Sequence, residues 1–335
     1  MSNWYINSTD GVAVSTRIRL ARNIDGIPFP NKMSKSSRKE LNEKISEAIA
    51  ANPIGGDINL KFISMESVSA IERRAMMDRH IISPEFAENP ECRAILLNDD
   101  ETVSVMVGEE DHIRIQVILG GLKLEEAYKI AEKVDDYLST IVKYAYNDKL
   151  GFLTECPTNL GIGLRASVML HLPIFEYSGE LAGVIENAGK IGLAVRGLYG
   201  EGSNSSASLY QISNQITLGI TEGNAIDNLK VITTQIIEKE IELRSRLNKI
   251  SIEDSVWRAF GLLKSARKIS CDELMGVISK VKLGVDMGII DCIDSATPIK
   301  IMVESLPGML QRKFGEMTPD DRDICRAEYI RENLK

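Results

Sequence analysis

The stretch Val14-Ser15-Thr16-Arg17-Ile18-Arg19-Leu20 decides the fold, because its side chains alternate with a period of two. Alternation of this kind over seven residues predicts a half-buried β-strand. One face of that strand would carry Val14, Thr16, Ile18 and Leu20, and the other Ser15, Arg17 and Arg19. The stretch therefore predicts one β-strand whose two faces differ in polarity.

The segments that follow predict further strands. Residues 92–98, 102–108 and 112–118 are short runs of strand-forming residues joined by turns that contain Asp or Glu, which is typical of an antiparallel meander. We also predict strands at 58–64, 191–197 and 207–213. Helices are predicted at 37–52, where Ser37 and Glu40 have the spacing of a capping box, at 66–82 and at 122–147.

Helical patterns take over from residue 222, with helices predicted at 222–249 and 251–267. Thr318-Pro319-Asp320-Asp321 supplies an N-cap, a proline at the first helical position and acidic first-turn residues for a final helix. The fold class is therefore α+β. We place a mixed domain at residues 1–249 and a small all-α domain at residues 250–335.

Composition excludes several classes of protein. The 335 residues are 44% apolar and 26% charged, which is typical of globular chains rather than disordered or collagen-like ones. We find neither a run of about 18 apolar residues nor a secretory signal. The five cysteines include no C-x-x-C pair, which favours a reduced, cytoplasmic protein without a zinc framework. The net charge of −8 argues against nucleic acid as a direct partner.

The turn Gly108-Glu109-Glu110-Asp111 leads into His112-Ile113-Arg114-Ile115-Gln116. Three consecutive acids are typical of a solvated turn. Strand parity, however, places Glu110, His112, Arg114 and Gln116 on one face. A half-buried arginine on that face favours an anion as its partner, so the segment is a candidate site.

The segment from Cys156 to Ala166 contains G-x-G-x-x-A, the pattern of a dinucleotide fingerprint. Pro157 and the Thr-Asn turn before Gly161 argue against the βαβ unit that this fingerprint requires. A glycine-rich turn leading into a helix would still suit a close approach of backbone to phosphate. Cys156 is either a structural thiol or a reactive one beside a cation.

Three further features are open to two interpretations. The segment 196–203 is either an ordinary hairpin or a site loop, with Arg196 and Glu201 on either side of its glycines. His80 ends a predicted helix and either caps it or stacks on a ligand, whereas His112 and His171 are interpreted as structural. Neither a P-loop nor the protein-kinase signatures are present, so scattered arginines would have to hold any phosphates.

These motifs, in this order and spacing over residues 10–248, resemble the catalytic domain of the phosphagen (guanidino) kinases. The motif-bearing segments are 15–23, 109–114, 156–167 and 196–201. The helical carboxyl end, with Arg322-Asp323-Ile324-Cys325-Arg326-Ala327, is similar to that of the bacterial protein-arginine kinases of this family. The resemblance implies a large antiparallel sheet flanked by helices.

The resemblance also implies the site residues of an ATP- and Mg²⁺-dependent kinase. The implied phosphate-binding arginines are Arg17, Arg19, Arg114, Arg165 and Arg196, and the implied adenine-side histidine is His80. The implied substrate carboxylates are Glu110 and Glu201, and the reactive cysteine is Cys156. Glu109 would contact magnesium through water. Arg322 and Asp323 would dock phosphoarginine, unless they merely occupy the first turns of an amphipathic helix. Gly108 replaces the asparagine usual in the family.

The implied function is transfer of the ATP γ-phosphoryl group to arginines of proteins, linked to stress response and protein quality control. Implied partners are protein substrates with exposed arginines, a zinc-finger activator, a stress-gene repressor, the Clp protease machinery and a second copy of the chain. Two alternatives remain open: a kinase for free arginine or another small guanidine, and a silent adaptor that binds phosphoarginine.

Overall fold

The computed structural model describes residues 3–8, 11–51, 54, 58–198 and 206–334. Within these residues, eight strands form one antiparallel sheet in the order β2-β3-β4-β5-β1-β8-β10-β9. Their bounds are β1 (Ala13–Arg22), β2 (Lys61–Ser64), β3 (Ala94–Leu97), β4 (Val103–Val107), β5 (Ile113–Gly120), β8 (Leu164–His171), β9 (Leu193–Gly197) and β10 (Leu209–Asn214). A short hairpin, β6 (Tyr146–Asn147) and β7 (Gly151–Phe152), lies outside this sheet.

The predicted alternation in β1 is confirmed from Ser15 to Leu20 but is wrong for Val14, because the register shifts between Ala13 and Ser15 and Val14 packs in a different core from Ile18 and Leu20. Ile18 and Leu20 are buried, whereas Arg17 and Arg19 are only partly covered. Because β1 pairs with β5 on one side and β8 on the other, it has no free edge. A strand in that position holds both neighbours in register, and so it fixes where the side chains of the polar face lie.

Helices pack on both faces of the sheet. Those of the first 245 residues are α1 (Lys35–Ala51), α2 (Ala70–Asp78), α3 (Pro84–Glu88), α4 (Leu124–Ile141), α5 (Pro173–Ser178), α6 (Leu181–Lys190) and α7 (Glu222–Ser245). Helix α4 packs on β1 and β5 and α7 packs on β8 and β10. Ala127, Ala131 and Val134 of α4 are fully buried in this core. On the other face, Met76 of α2 and Phe86 of α3 share a core with Met106 of β4, which lies opposite Arg114; the rest of that face remains available for a site.

The remaining helices are α8 (Lys249–Ser265), α9 (Cys271–Asp286), α10 (Thr297–Glu304), α11 (Pro307–Phe314) and α12 (Pro319–Asn333). They enclose a second core that also includes Trp4, Val14 and Leu209 from the sheet region. The predicted cap of the last helix is confirmed, since the Thr318 hydroxyl accepts a hydrogen bond from the Asp321 amide. The helical region is thus packed against the sheet region through a shared core.

Several predicted bounds are wrong. The turn at Gly161 and Gly163 leads into strand β8, not into a helix. The helix predicted at 122–147 ends at Ile141 and is followed by the β6–β7 hairpin. Helix α1 begins at Lys35, two residues before Ser37, because the Ser34 hydroxyl accepts from the Ser37 amide. None of the helices in the described residues is long and apolar enough to cross a membrane.

Candidate active site

The sheet register brings five arginines to one face. Arg19 lies opposite Arg165 on β8 and opposite Gln116 on β5, two residues from Arg114. Alternate residues of a strand share a face, so each of these side chains projects from the same side. Arg17 lies opposite Ser167 on β8, two residues from Arg165, so it shares this face. Gln211 on β10 lies opposite both Met169 on β8 and Arg196 on β9, which places Arg196 on the same face. The arginines of this face are Arg17, Arg19, Arg114, Arg165 and Arg196.

The arginine face is short of partners at its centre. The buried Nε atoms of Arg19 and Arg165 have no hydrogen-bond partner among the described residues. Burial, and then the charges of Arg17, Arg114 and Arg165, lower the pKa of Arg19 well below its usual range. Burial and the nearby Arg196 lower the pKa of Arg165 as well. Unpaired buried donors among like charges are costly without an anion, so this face is suited to bind phosphates.

Glu109 anchors one edge of the arginine face. Its carboxylate is buried, forms an ion pair with Arg114 and accepts a hydrogen bond from the Ser83 hydroxyl. Burial opposes ionisation of Glu109, but Arg114, Ser83 and Arg19 together lower its pKa. Glu109 is therefore an ionised group that orients Arg114. Ser83, which the sequence indicated only as a helix stop, is part of this arrangement.

A pocket beside the arginines is lined by groups of both charges. Arg19, Arg114 and Arg165 line it together with Glu109, Glu110, Asp111 and Cys156. Burial and Asp111 raise the pKa of Glu110, whereas a hydrogen bond from Cys156 opposes the shift. The Cys156 thiol also lies 3.0 Å from the Thr158 hydroxyl. The structure thus brings Glu110 and Cys156 together; Glu201 lies outside the described residues.

Asp111 holds the acidic turn in place. Its buried Oδ1 accepts hydrogen bonds from the Asn23 side chain at 2.6 Å and from the Glu155 amide at 2.8 Å. Asn23 in turn accepts from the His112 amide and donates to the Leu153 carbonyl. This network joins the end of β1, the acidic turn and the loop that carries Cys156. Sequence analysis assigned no separate role to Asp111, because its partners lie 88 and 44 residues away.

The turn before Glu109 explains how glycine can stand at position 108, where the resemblance implies asparagine. Gly108 has φ +80°, and its amide donates to the His112 carbonyl at 2.9 Å. Glycine and asparagine are the residues that adopt this left-handed conformation most readily. Gly108 can therefore form the turn in place of asparagine.

His80 lies next to the arginine face. It lines a small pocket with Ser15, Arg17 and Gln211, and the Arg17 guanidinium donates to Gln211 at 2.8 Å. Burial and the charge of Arg17 lower the pKa of His80 to about 4, so the ring is neutral near pH 7. Its centroid lies 5.8 Å from that of Trp4. A neutral, partly enclosed ring of this kind suits stacking against a nucleobase.

The glycines at 161 and 163 serve the protein backbone. A Cβ atom at Gly161 would lie 2.1 Å from the Thr217 carbonyl oxygen, and one at Gly163 would lie 2.8 Å from that of Ala21. These glycines therefore allow chain segments to approach one another, and β8 after them belongs to an antiparallel sheet. The dinucleotide interpretation is excluded, because its βαβ unit is not what the chain forms here.

Arg322 and Asp323 lie on the first turns of α12, away from the lining of the charged pocket. Asp323 Oδ1 accepts a hydrogen bond at 2.5 Å from the buried Arg326, and the Asp323 carbonyl accepts one from the Ile269 amide. Asp323 is thus already held by the helical region. Among the described residues, no cluster of three or more His, Cys, Asp or Glu side chains could hold a metal ion.

Comparison with known proteins decides the family. The family model described as "ATP:guanido phosphotransferase, C-terminal catalytic domain" matches residues 40–243, and "Protein-arginine kinase McsB C-terminal domain" matches residues 249–335. A protein-arginine kinase of Halothermothrix orenii is 45% identical over 327 residues, covering 96% of this chain and 93% of the relative. The chain belongs to the protein-arginine kinase family.

A second member of the protein-arginine kinase family, from Clostridium kluyveri, is 42% identical and is covered over 99% of its length. The duplicated taurocyamine kinase from Schistosoma mansoni shares the fold with a TM-score of 0.62 and 28% identity, over 82% of this chain and 40% of that one. Lombricine kinase, at 23% identity, has a TM-score of 0.63 over 72% of this chain and 70% of its own.

The predicted family and α+β fold are confirmed. As a member of the protein-arginine kinase family, the chain is an ATP-dependent guanidino phosphotransferase. The arginine face and the charged pocket described above therefore lie in a phosphotransferase fold.

Proposed function

We propose that the chain transfers the γ-phosphoryl group of ATP to arginine side chains of proteins. The observation that carries this proposal is that Arg19 and Arg165 line one pocket together with Glu110 and Cys156. A phosphoryl donor is anionic and a guanidinium acceptor is cationic, so this pocket offers a group of opposite charge to each substrate. The names of the relatives at 45% and 42% identity support a protein arginine as the acceptor.

The acceptor must lose a proton before it can become a phosphorylated nitrogen. A guanidinium has a pKa above about 12 and no lone pair to offer near pH 7. Glu110 would accept hydrogen bonds from the planar N–H groups, orient the attacking nitrogen and take its proton as the N–P bond forms. Cys156, a hydrogen-bond partner of Glu110, would hold that carboxylate and line the guanidinium. We propose Glu201 as the second substrate carboxylate.

The donor would lie across the arginine face. Arg17, Arg114 and Arg196 would flank the phosphates, and the free Nε donors of Arg19 and Arg165 would bind them at the centre. These cations are fixed by β-strands, so little reorganisation is needed as charge builds on the transferring group. His80 would face the adenine.

The described side chains form no magnesium site of their own, but they suit a magnesium ion that is bound to the ATP phosphates. The described residues contain no protein-only metal cluster, and both Glu109 oxygens already accept hydrogen bonds. A carboxylate has about four lone-pair sites, so Glu109 retains acceptor capacity for a metal-bound water. When bound, Mg²⁺ would neutralise phosphate charge. Glu109 would orient Arg114 and accept from that water.

We propose further roles for the region after residue 249 on the resemblance to the family. Arg322 and Asp323 would dock phosphoarginine, with Asp323 accepting from the guanidinium. The protein would act in the cytoplasm in stress response and protein quality control. Its partners would be a zinc-finger activator, a stress-gene repressor, the Clp protease machinery and a second copy of the chain.

The deciding experiment compares acceptors. The protein is incubated with ATP and either an unfolded protein substrate or free L-arginine, and products are analysed by intact mass and phosphosite mapping under neutral handling. Neutral conditions are needed because the N–P bond is acid-labile. We expect phosphoarginine in the protein substrate. Exclusive phosphorylation of free arginine would identify a small-guanidine kinase, and no transfer to either would favour the adaptor function.

A further inference from the structure

We infer that the C-terminal helical region positions His80, and through it sets the affinity of the enzyme for nucleotide. The connection is a joint between the carboxyl end of α2 and the amino end of α11. It consists of Asp78, Arg79, Gly308 and Met309, which we call the α2–α11 joint. The inference rests on the proposed placement of His80 beside the adenine.

Asp78 forms the polar half of the joint. Its Oδ2 accepts hydrogen bonds from the amides of Gly308 at 2.6 Å and Met309 at 3.2 Å. These amides belong to the first turn of α11 and have no partner within that helix. Asp78 is buried, so the contact is shielded from water. A side chain from the sheet region thus caps a helix of the C-terminal region.

Gly308 makes the joint close. A Cβ atom at this position would lie 2.7 Å from the Ala75 amide nitrogen and 2.7 Å from Asp78 Oδ2. Contacts under 3.0 Å with backbone cannot be relieved by rotating a side chain. The two helices can therefore meet at this distance only when residue 308 is glycine.

Arg79 ties the same turn to both regions. Its side chain is 1% exposed and forms ion pairs with Glu101 at 2.9 Å and Glu72 at 3.0 Å. The Arg79 guanidinium also lies 3.3 Å from the Met309 sulfur, and Glu72 pairs with Arg312 of α11 at 2.8 Å. Both residues before His80 are thus held by α11.

His80 depends on this support because its backbone is in the left-handed region. Its φ is +60°, a conformation that costs a non-glycine residue about 1 kcal/mol and persists only where neighbours enforce it. The Arg79 carbonyl accepts from the Trp4 indole at 2.9 Å, and the His80 carbonyl accepts from Gln116 at 2.8 Å. If α11 withdrew, Asp78 and Arg79 would lose partners and the turn could relax.

The C-terminal region also lies beside His80. Met302 and Leu306 line a cavity of about 30 Å³ together with Trp4 and His80. A cavity of this size holds about one water molecule, so it is too small for a ligand site. The C-terminal region therefore holds the two residues before His80 and also borders the space next to it.

The test is Gly308→Ala in the full-length protein. Kd for ATP is measured by calorimetry without acceptor, and kcat at saturating ATP is measured with a protein substrate. We expect Kd to rise about fivefold or more, with kcat near that of the wild type. Gly261→Ala on α8, where a Cβ meets nothing within 4 Å, is the matched control and should leave both unchanged.

Asp78→Ala and Asp78→Asn provide a second pair if Gly308→Ala fails to fold. Asparagine keeps a carbonyl acceptor for the two amides, so it should retain more nucleotide affinity than alanine. An unchanged Kd in folded Gly308→Ala, or in both Asp78 variants, would overturn the inference. His80→Ala separates the two proposals. An unchanged Kd for ATP in His80→Ala refutes the placement of His80 beside the adenine. A raised Kd in His80→Ala, together with an unchanged Kd in the Gly308 and Asp78 variants, refutes only the role of the α2–α11 joint.

Discussion

Arg19 and Arg165 are direct cross-strand partners on β1 and β8, and the buried Nε of each has no hydrogen-bond partner among the described residues. Like charges placed opposite one another in a sheet destabilise it by up to about 1 kcal/mol. The protein therefore carries an electrostatic cost at the centre of its sheet. That cost is relieved when an anion lies between the two guanidinium groups.

Arg165→Gln should change stability in opposite directions with and without nucleotide. Without ATP we expect the variant to be as stable as the wild type or more stable, by up to about 1 kcal/mol, because a repulsion is removed. With ATP, the rise in unfolding temperature should be smaller than in the wild type. Thermal unfolding with and without ATP measures both. Arg246→Gln, at an exposed surface pair, is the control and should show the wild-type response. A variant that loses stability without ATP yet keeps the full response would contradict the phosphate role.

Glu110→Gln should abolish most phosphoryl transfer and leave ATP binding intact. Glutamine preserves the shape and one carbonyl acceptor but cannot take a proton from the guanidinium. The loss in kcat should be about 10²–10⁴-fold, the usual range for a general base. Transfer is followed by phosphosite analysis and ATP binding by calorimetry, with the exposed Glu43→Gln as control. Turnover near that of the wild type would remove Glu110 from the role of base.

The pH profile should report Glu110. A base must be ionised, and burial together with Asp111 raises the pKa of Glu110 above the ordinary 4.5. The value of kcat/KM, which reports the free enzyme, should therefore fall as pH decreases through that raised pKa, at higher pH than for an exposed glutamate. Asp111→Asn removes a charge that raises the pKa, so the acid limb should move to lower pH. An acid limb that stays in place in Asp111→Asn would mean that a group other than Glu110 controls it. His80 has a pKa of about 4 and is therefore neutral at every pH above that value.

Phosphoarginine docking is best tested with Asp323→Asn. Asp323→Ala would remove the carboxylate that lies 2.5 Å from the buried Arg326 guanidinium, so lost binding could reflect a disturbed helix. Asparagine keeps an acceptor but removes the charge, and we expect binding of a phosphoarginine peptide to weaken about tenfold. Asp320→Asn on the same helix, at an exposed pair with Lys268, is the control. Equal affinities for wild type and Asp323→Asn would reject the docking site.

The local sequence pattern was enough to predict those elements whose hydrophobic periodicity matches the burial of their side chains. Alternation in β1 and the meander of β3, β4 and β5 were predicted from the sequence and are present. Strand β8 was not predicted, although its residues alternate: Leu164, Ala166, Val168 and Leu170 have one parity, and Arg165, Ser167 and His171 have the other. The glycines before it suggested a helix start, whereas they serve contacts with Thr217 and Ala21.

The site itself depends on distances along the chain that spacing does not reveal. Register, not sequence separation, brings Arg19 to Arg165 and Arg114. Asp111 and Ser83 acquired roles only through partners in other elements. The α2–α11 joint links residues 230 positions apart and had no local signal. The resemblance supplied the arginines by motif, and the sheet supplies the physical reason that they converge.

The five cations of the arginine face come from four strands, β1, β5, β8 and β9, and lie between residues 17 and 196 of the chain. No short fragment of the chain contains all five of these arginines. An anion bound across the arginine face would offset their mutual repulsion, so nucleotide binding at this face should stabilise the assembled sheet as a whole rather than any one segment of it.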